Sequence, residues 1–417
     1  MITWANLRAS AAPWLVLPIA IYAYVYIDDT TFTAPSNYGV QSGETAAYAV
    51  AVIAPAVAAA AAWEAGRHRQ LGALRLTGQR SALPQLLRGV APVLMLLAVL
   101  VTAALAMAHH AVGVLPSESG WLAVAHLIVI SLGWLVIGWC LGCVLPGSIA
   151  APAAGIGCWA WLSVPQSTTN PWVRHLGGFI DRQSSVTDLI SPAVYLVPWG
   201  VVTGLAVTFW LLVRRRRRAL AVPAAFAVAT VTFIAGHVAV ANWGYGTPTH
   251  PRSVALACTG KAPRVCVPPE YEPYAQQLRQ EALAPVKRLR DAGIAAPDEL
   301  RVASAKVPLR SGTWPLYWSL PPRGAHQDTV EFDAKLGESA VIGTAAREGV
   351  GVCQQPGSLP GAWAALVVGL NEKAIQESLT PQDWGTLRKV RRLSAEEQVA
   401  WFTHAAVSLE HCGKVRS

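Results

Sequence analysis

The sequence predicts an α-helical polytopic membrane protein with six plus one transmembrane helices and a small, disulfide-stapled α+β extracytoplasmic C-terminal domain. Of its 417 residues, 53% are hydrophobic and 14% are charged, whereas a soluble protein carries about a quarter charged residues. Residues 1–242 contain 13 Arg, no Lys and 7 acidic residues, but residues 243–417 contain 20 basic and 17 acidic residues. These observations exclude an ordinary soluble enzyme, a disordered chain and a small disulfide-rich secreted protein.

Seven apolar stretches have roughly the 20 residues that a helix needs to cross a bilayer. Each is rich in Ala, Val and Leu and almost free of charge, because a charged side chain at mid-bilayer costs about 2.5–3.5 kcal/mol on insertion scales. The first stretch is the weakest of the seven. They run over residues 11–27, 45–63, 90–112, 121–145, 147–165, 189–213 and 219–242.

The arginines predict the orientation, since short cytoplasmic loops retain positive charge. With the N-terminus inside, eleven arginines lie in inner segments, and only Arg174 and Arg182 lie in outer loops. The run 214–218 is interpreted as an anchor between two spans, so no nucleic-acid partner is expected. No cleavable signal sequence is evident, and the first span should be retained. We therefore expect a multi-pass plasma-membrane protein with a cytoplasmic N-terminus and everything after Trp243 outside.

Three of the seven cysteines lie within spans and are expected to pack as small apolar residues: Cys140, Cys143 and Cys158. The other four share the outer domain, where an oxidising compartment favours two disulfides with three possible pairings. We favour the pairings Cys258–Cys266 and Cys353–Cys412.

The segment between the second and third spans, residues 64–89, is basic and contains two short amphipathic stretches. The segment order, with this basic stretch after two spans and an apolar outer hairpin at 166–188, resembles the six-span permease subunits of ABC-type exporters over about residues 1–215. In that family the segment is the coupling helix that docks on the cytoplasmic ATPase. The residues that match are Glu64, Gly66, Arg67, Gly72, Leu74, Leu76 and Arg80.

We expect a permease-like part at 1–218, with the coupling segment at 64–89, followed by a seventh helix at 219–242 and an outer domain at 243–417. The resemblance does not cover the seventh helix or the outer domain. Similar cysteine-bearing outer domains occur on uncharacterised actinobacterial permeases, and the Ala-rich, Arg-only usage of the membrane part fits a bacterium with high GC content. The family works with a second permease copy or paralogue and with an ABC ATPase that binds ATP-Mg.

The chain has no phosphate-binding G-x-x-x-x-G-K-[ST] loop, because Gly260-Lys261 and Gly413-Lys414 lack the flanking residues of that motif. We therefore expect no enzymatic activity, no cofactor and no metal in this chain, and ATP hydrolysis in a partner subunit. The function predicted is that of a permease subunit that forms the translocation path of an ATP-driven exporter. The alternative is a non-transporting membrane receptor or immunity protein whose outer domain senses a ligand.

Four histidines lie in or near the spans: His109, His110, His126 and His237. Only His237 is expected to be embedded. Proton coupling would require an Asp or Glu partner within the membrane, and we expect none, since Glu44 is assigned to an outer loop and Glu64 to the cytoplasmic end of the second span.

The outer domain is expected to begin with an extended entry and a helix over residues 270–292. Strand candidates lie at 313–320 and 328–335, and further helices at 361–377 and 394–411. The last helix begins with a capping box formed by Ser394 and Glu397. Three aromatic residues are candidates for a groove that takes a peptide, glycan or lipid, with burial in the core as the alternative: Trp314, Tyr317 and Trp318.

Overall fold

The computed structural model describes residues 8, 10–28, 35–72, 82–181, 184–213, 218–320, 329–348 and 358–409. The chain divides into two compact units, each with its own internal packing. The first unit comprises Met1–Ser185 and Ile190–Thr249, and the second comprises Val186–Leu189 and His250–Ser417.

The first unit is built from helices. In chain order they are α1 (Ala12–Asp28), α2 (Gly39–Tyr48), α3 (Val50–Gly72), α4 (Ala82–Val112), α5 (Glu118–Val144), α6 (Gly147–Ser163, continued by a 3₁₀ turn at Val164–Ser167), α7 (Pro171–Leu176), α8 (Ala193–Val213) and α9 (Arg218–Val240).

Six helices in the described part of the chain are long and apolar enough to cross a membrane: α3, α4, α5, α6 with its 3₁₀ turn, α8 and α9. The helical membrane part predicted from the sequence is confirmed to this extent. The first predicted span forms α1, an apolar helix of 17 residues that is shorter than the other six. The core of the unit is formed mainly by Ala, Val, Leu and Ile side chains from α1 to α6, with contributions from α8.

The second predicted span differs from its expected bounds at its beginning. The structure has two helices here, because α2 ends at Tyr48 and α3 begins at Val50 after a turn at Ala49. Residues 39–44, which the sequence assigns to an outer loop, are helical, and most of them are buried. This difference brings Glu44 into the interior of the unit.

Small residues allow a close contact between α3 and α5. A Cβ atom at Gly138 would lie 2.2 Å from the carbonyl oxygen of Ala58, and one at Gly142 would lie 2.1 Å from that of Ala62. Two G-x-x-x-G glycines on α5 thus face two alanines at the same spacing on α3. Small residues let helix backbones approach where there is no water to drive packing.

The second unit contains a four-stranded sheet whose strands lie side by side in their order along the chain. Strands β3 (Ala257–Thr259) and β4 (Arg264–Val267) are antiparallel, whereas β5 (Glu299–Arg301) and β6 (Thr313–Pro315) continue the sheet in parallel. Two short strands, β1 (Asp188–Ile190) and β2 (Thr249–Pro251), form a separate pair where the chain passes from one unit to the other.

The helices of the second unit are α10 (Ala275–Asp291, preceded by a 3₁₀ turn at Pro269–Tyr274), α11 (Thr329–Arg347), α12 (Leu359–Val367), α13 (Glu372–Ser378), α14 (Pro381–Val390) and α15 (Ala395–Ser408). The expected α+β composition is therefore present. The capping box at the start of α15 is confirmed, since Ser394 and Glu397 each bond the other's backbone N–H.

The predicted strand at 328–335 is wrong, because residues 329–335 form the beginning of helix α11; residue 328 lies outside the described residues. Phe332, Leu336 and Ala340 are buried at four-residue spacing, which is the period of one helix face. Glu331 and Lys335 add an ion pair at i,i+4, with 2.6 Å between Oε1 and Nζ. The strand prediction came from residue types at the start of this segment that are common in strands.

The predicted helix 361–377 is two helices, α12 and α13. Gly369 separates them with φ of +104°, a backbone conformation that favours glycine. Helix α14 was not predicted, although its start is recognisable: the Thr380 hydroxyl accepts a bond from the Asp383 N–H, and Pro381 follows the cap.

Candidate functional site

The predicted coupling residues fall into two groups. Glu64, Gly66 and Arg67 lie in the last turns of α3, and Gly72 is its final residue. The remaining three, Leu74, Leu76 and Arg80, lie outside the described residues. The site can therefore be described from the end of α3.

Glu64 is fully buried at this end of the bundle. Its Oε1 accepts hydrogen bonds from the Ser10 hydroxyl at 2.8 Å and from the Ala11 N–H at 3.1 Å. Its Oε2 accepts two bonds from the Arg67 guanidinium, at 2.6 and 2.9 Å. A buried carboxylate requires such partners, because taking it out of water is costly. Glu64 thus fastens the segment before α1 to the end of α3.

The same turns of α3 contact the connection between α5 and α6. A Cβ atom at Gly66 would lie 2.7 Å from the Cα of Gly147, so only glycine allows this approach. Arg69 donates a 2.6 Å hydrogen bond to the carbonyl of Val144, one of the last carbonyls of α5 and hence without a partner in its own helix. We call the set Ser10, Glu64, Gly66, Arg69 and Val144 the Glu64 junction.

The Glu64 junction joins three chain segments that are distant in sequence, and the predicted coupling segment continues directly from it. In the described part of the chain, no group of three or more His, Cys, Asp or Glu side chains is arranged to hold a metal ion.

A second polar cluster, which sequence reasoning missed, surrounds Glu44 near the N-terminal ends of α3 and α5. Glu44 is 5% exposed. Its carboxylate accepts bonds from the Ser184 N–H and the Ser184 hydroxyl, both at 2.6 Å, and from the Tyr195 hydroxyl at 3.2 Å. Burial raises the pKa of Glu44, and the hydrogen bonds from Ser184 and Tyr195 oppose that shift.

His126 lies inside the bundle and is 1% exposed. Its Nδ1 accepts a 2.9 Å bond from the Trp199 indole N–H, so the ring proton is on Nε2, which donates to the Gly178 carbonyl at 2.7 Å. His237 lies on the surface of the unit, with its ring 4.7 Å from that of Trp172.

A small cavity of about 20 Å³ lies beside this cluster. Its wall combines one carboxylate, three aromatic rings and aliphatic side chains: Glu44, Tyr48, His126, Tyr195, Ala47, Val50, Ala123, Ile180 and Ile190. The sequence did contain a signal for this cluster, because Glu44 and His126 are ionisable residues next to or within apolar spans, and such residues merit a functional hypothesis. Glu44 and His126 thus line the same cavity, although Glu44 precedes the candidate span that begins at Val50.

The predicted aromatic groove of the second unit is only partly assembled. Trp314 is 1% exposed and so tightly packed that a Cβ at Gly343 would lie 1.7 Å from its ring, so it belongs to the core. Tyr317 and Trp318 are half-buried. Trp318 packs against Tyr271 and Tyr274, with ring centroids 4.6 and 5.0 Å apart.

The disulfide expected between Cys258 and Cys266 is present and joins directly opposed residues of β3 and β4. Cys353 and Cys412 lie outside the described residues. The three cysteines of the helical unit are free thiols, with Cys140 and Cys158 buried.

Comparison with known proteins gives one match. Residues 265–412 match the family model described as Domain of unknown function (DUF7224), which corresponds to the second unit from β4 onwards. No curated protein matches the chain, and no solved structure matches it.

Proposed function

We propose that this protein is the transmembrane permease subunit of an ATP-driven exporter, which forms the translocation path and is driven by a separate cytoplasmic ATPase that binds ATP-Mg. The observation that supports this function best is the Glu64 junction. A permease without a nucleotide site must receive force through a rigid element, and the end of α3 is fastened to two other segments.

Coupling through the Glu64 junction follows from how its contacts are made. Two of them join a side chain of α3 to a backbone group, the Ala11 N–H and the Val144 carbonyl, so they tie α3 to the main chain of the two other segments. The Gly66–Gly147 approach is a contact between backbones. A push on residues 73–89 would consequently shift α1 and the α5–α6 connection together, as packed elements move in discrete steps.

The proposed orientation places the Glu64 junction on the cytoplasmic side of the plasma membrane and the second unit outside. The support is the eleven-to-two distribution of arginines. Labelling of intact cells with an impermeant maleimide tests it, using Gln70→Cys and Ser253→Cys, which replace exposed residues. Ser253→Cys should react in intact cells, and Gln70→Cys only after the cells are opened. The reverse pattern would contradict the orientation.

The functional experiment is stimulation of ATPase activity in the reconstituted complex. Glu64→Arg should abolish stimulation, because a second cation beside Arg67 breaks the junction, and Leu74→Arg should do so by altering the proposed docking segment. Glu118→Gln, at an exposed acidic residue of α5, is the matched control and should leave stimulation unchanged. Normal hydrolysis and transport by membrane-inserted Glu64→Arg and Leu74→Arg would overturn the coupling assignment.

A second permease copy or a paralogue would complete the path, with cargo passing between two bundles. Exposed apolar side chains line the helices of the first unit; examples are Trp14 on α1 and Phe226 on α9, at 77% and 69% exposure. These surfaces suit lipid and a partner bundle.

The alternative, a receptor or immunity protein that senses a ligand outside the cell, is favoured by the independence of the second unit. That unit is compact, contains its own sheet and disulfide, and is the part that matches a family model. Copurification with an ATP-hydrolysing subunit separates the two functions: transport requires such a subunit, whereas the receptor does not.

A further inference from the structure

Glu44 has an unusual electrostatic environment for a buried carboxylate. Its three hydrogen-bond donors, two from Ser184 and one from Tyr195, are all neutral. Among the described residues, no Lys, Arg or His forms an ion pair with it. Buried charges in proteins are normally paired with an opposite charge as well as hydrogen-bonded. Within the described residues, all hydrogen-bond partners of this carboxyl group are therefore neutral.

A cavity of about 20 Å³ adjoins Glu44. About 10–15 Å³ is enough to hold one water molecule, so the cavity fits a group of one or two heavy atoms. Its wall includes the rings of Tyr48 and Tyr195, and the faces of tyrosine rings attract cations at close range.

His126 does not supply a positive charge to balance a Glu44 carboxylate. Nδ1 accepts from Trp199 while Nε2 donates to Gly178, so a second ring proton would have to displace the Trp199 bond. A proton relay through this ring is blocked in the same way, because both nitrogens already have fixed partners.

We propose that the Glu44 cavity is a binding site for a small monovalent cation of the ammonium type. Ammonium matches water in size, donates hydrogen bonds to a carboxylate and is attracted by aromatic rings. Hard divalent ions are disfavoured, since they require six or more oxygen ligands and the cavity wall has one carboxylate. The inference is independent of the transport function, as it rests on this cluster alone.

The experiment measures the thermal unfolding midpoint of the purified full-length protein as ammonium chloride replaces sodium chloride at constant ionic strength. A bound cation stabilises the folded state by mass action, so ammonium should raise the midpoint of the wild type. In Glu44→Gln the apparent affinity should fall by about tenfold or more, because a charge-assisted bond is lost. Glu118→Gln should respond as the wild type does.

Ala47→Leu covers the case in which Glu44→Gln fails to fold. It adds bulk to the cavity wall while keeping the carboxylate and its hydrogen-bond donors, and it should abolish the ammonium response. Equal midpoints in the two salts for the wild type, or an undiminished response in Ala47→Leu, would overturn the proposal and leave the cluster as a structural contact only.

Arg182→Gln excludes a competing source of charge, because Arg182 is two positions from Ser184 in the sequence and lies outside the described residues. The ammonium response should persist in this variant. A response that appears only in Arg182→Gln would mean that the arginine serves as counter-ion in the wild type, and it would contradict a cation site.

Discussion

The hydroxyl of Ser10 donates a 2.8 Å hydrogen bond to the carboxylate of Glu64, 54 positions away along the chain. The bond is buried, and the same carboxylate oxygen also accepts a hydrogen bond from the Ala11 N–H. It fixes the entry to α1 against the end of α3, where the proposed coupling segment begins.

Replacement of Glu64 by Ala should destabilise the first unit. The change leaves the Ser10 hydroxyl and the Ala11 N–H without their acceptor and removes the partner of Arg67, and each unsatisfied buried group costs about 1–3 kcal/mol. For domains of this size, each kcal/mol lowers the thermal midpoint by about 2–4 °C. Thermal unfolding in detergent, followed by intrinsic fluorescence, measures the effect.

Ser10→Ala is the informative comparison, because it removes one of four bonds to the carboxylate and should cost less than Glu64→Ala. Equal midpoints for Glu64→Ala and the wild type would refute the structural role of the Glu64 junction.

Gly138→Ala and Gly142→Ala should each separate α3 from α5. The added methyl group would lie 2.2 or 2.1 Å from a carbonyl oxygen of α3, and overpacking of a tight contact costs about 1–3 kcal/mol. The control is Gly157→Ala on α6, where nothing lies within 4 Å of the new Cβ. Fluorescence-detected size-exclusion after a heating series should show early loss of the two α5 variants only; equal survival of all three would refute the close approach.

Peptide mapping without reduction should recover Cys258 and Cys266 as a linked pair and Cys140, Cys143 and Cys158 as thiols. Loss of the link in Cys258→Ser should destabilise the second unit by roughly 2–3 kcal/mol, the cost expected for a short loop. Recovery of Cys258 linked to Cys353 or Cys412 would contradict the structure. The same map tests the pairing Cys353–Cys412, which stays a prediction.

The stability of the second unit should fall in acid through Glu299. Burial alone would raise the pKa of Glu299, but bonds from Arg264 at 2.8 Å and Arg301 at 2.6 Å outweigh it and hold the pKa below its usual value. Because the pKa of Glu299 is lower in the folded state than its unfolded value of about 4.3, ionised Glu299 stabilises the folded state above that pH. This stabilisation is lost as the pH falls through the folded-state pKa.

A series of thermal midpoints between pH 6 and about pH 3 measures this loss, with Glu299→Gln as the comparison. The variant should be less stable at pH 6 and should show a flatter acid limb than the wild type. Parallel curves for the two proteins would contradict the assignment to Glu299.

Hydrophobic runs made the long helices predictable, because bilayer-length apolar segments are the strongest signal that a sequence contains. The disulfide between Cys258 and Cys266 was predictable for a similar reason, since a short loop limits the partners. The start of α2 was not predictable, as Glu44 looks like a loop residue until Ser184 and Tyr195, about 140–150 positions later, are folded against it.

Long-range contacts explain the other gaps between sequence and structure. Gly138 and Gly142 form a visible G-x-x-x-G pattern, but their partners Ala58 and Ala62 are known only from the packing of α3. The burial of His126 depends on Trp199 and Gly178, which lie on other elements. The strand prediction for residues 328–335 relied on local β propensity, which is a weak preference. Burial of side chains at the spacing of one helix face determines the structure of this segment instead.

Site-specific photocrosslinking from the segment after α3 tests whether this protein is a permease subunit that contacts an ATPase through that segment. A photoreactive amino acid at position 74, in cells that express the protein with its neighbouring genes, should crosslink an ATP-hydrolysing polypeptide. The same probe at exposed position 253 of the second unit should not. Capture of an ATPase from position 74 alone is the result expected of a permease subunit; capture from position 253, or from neither position, would contradict it.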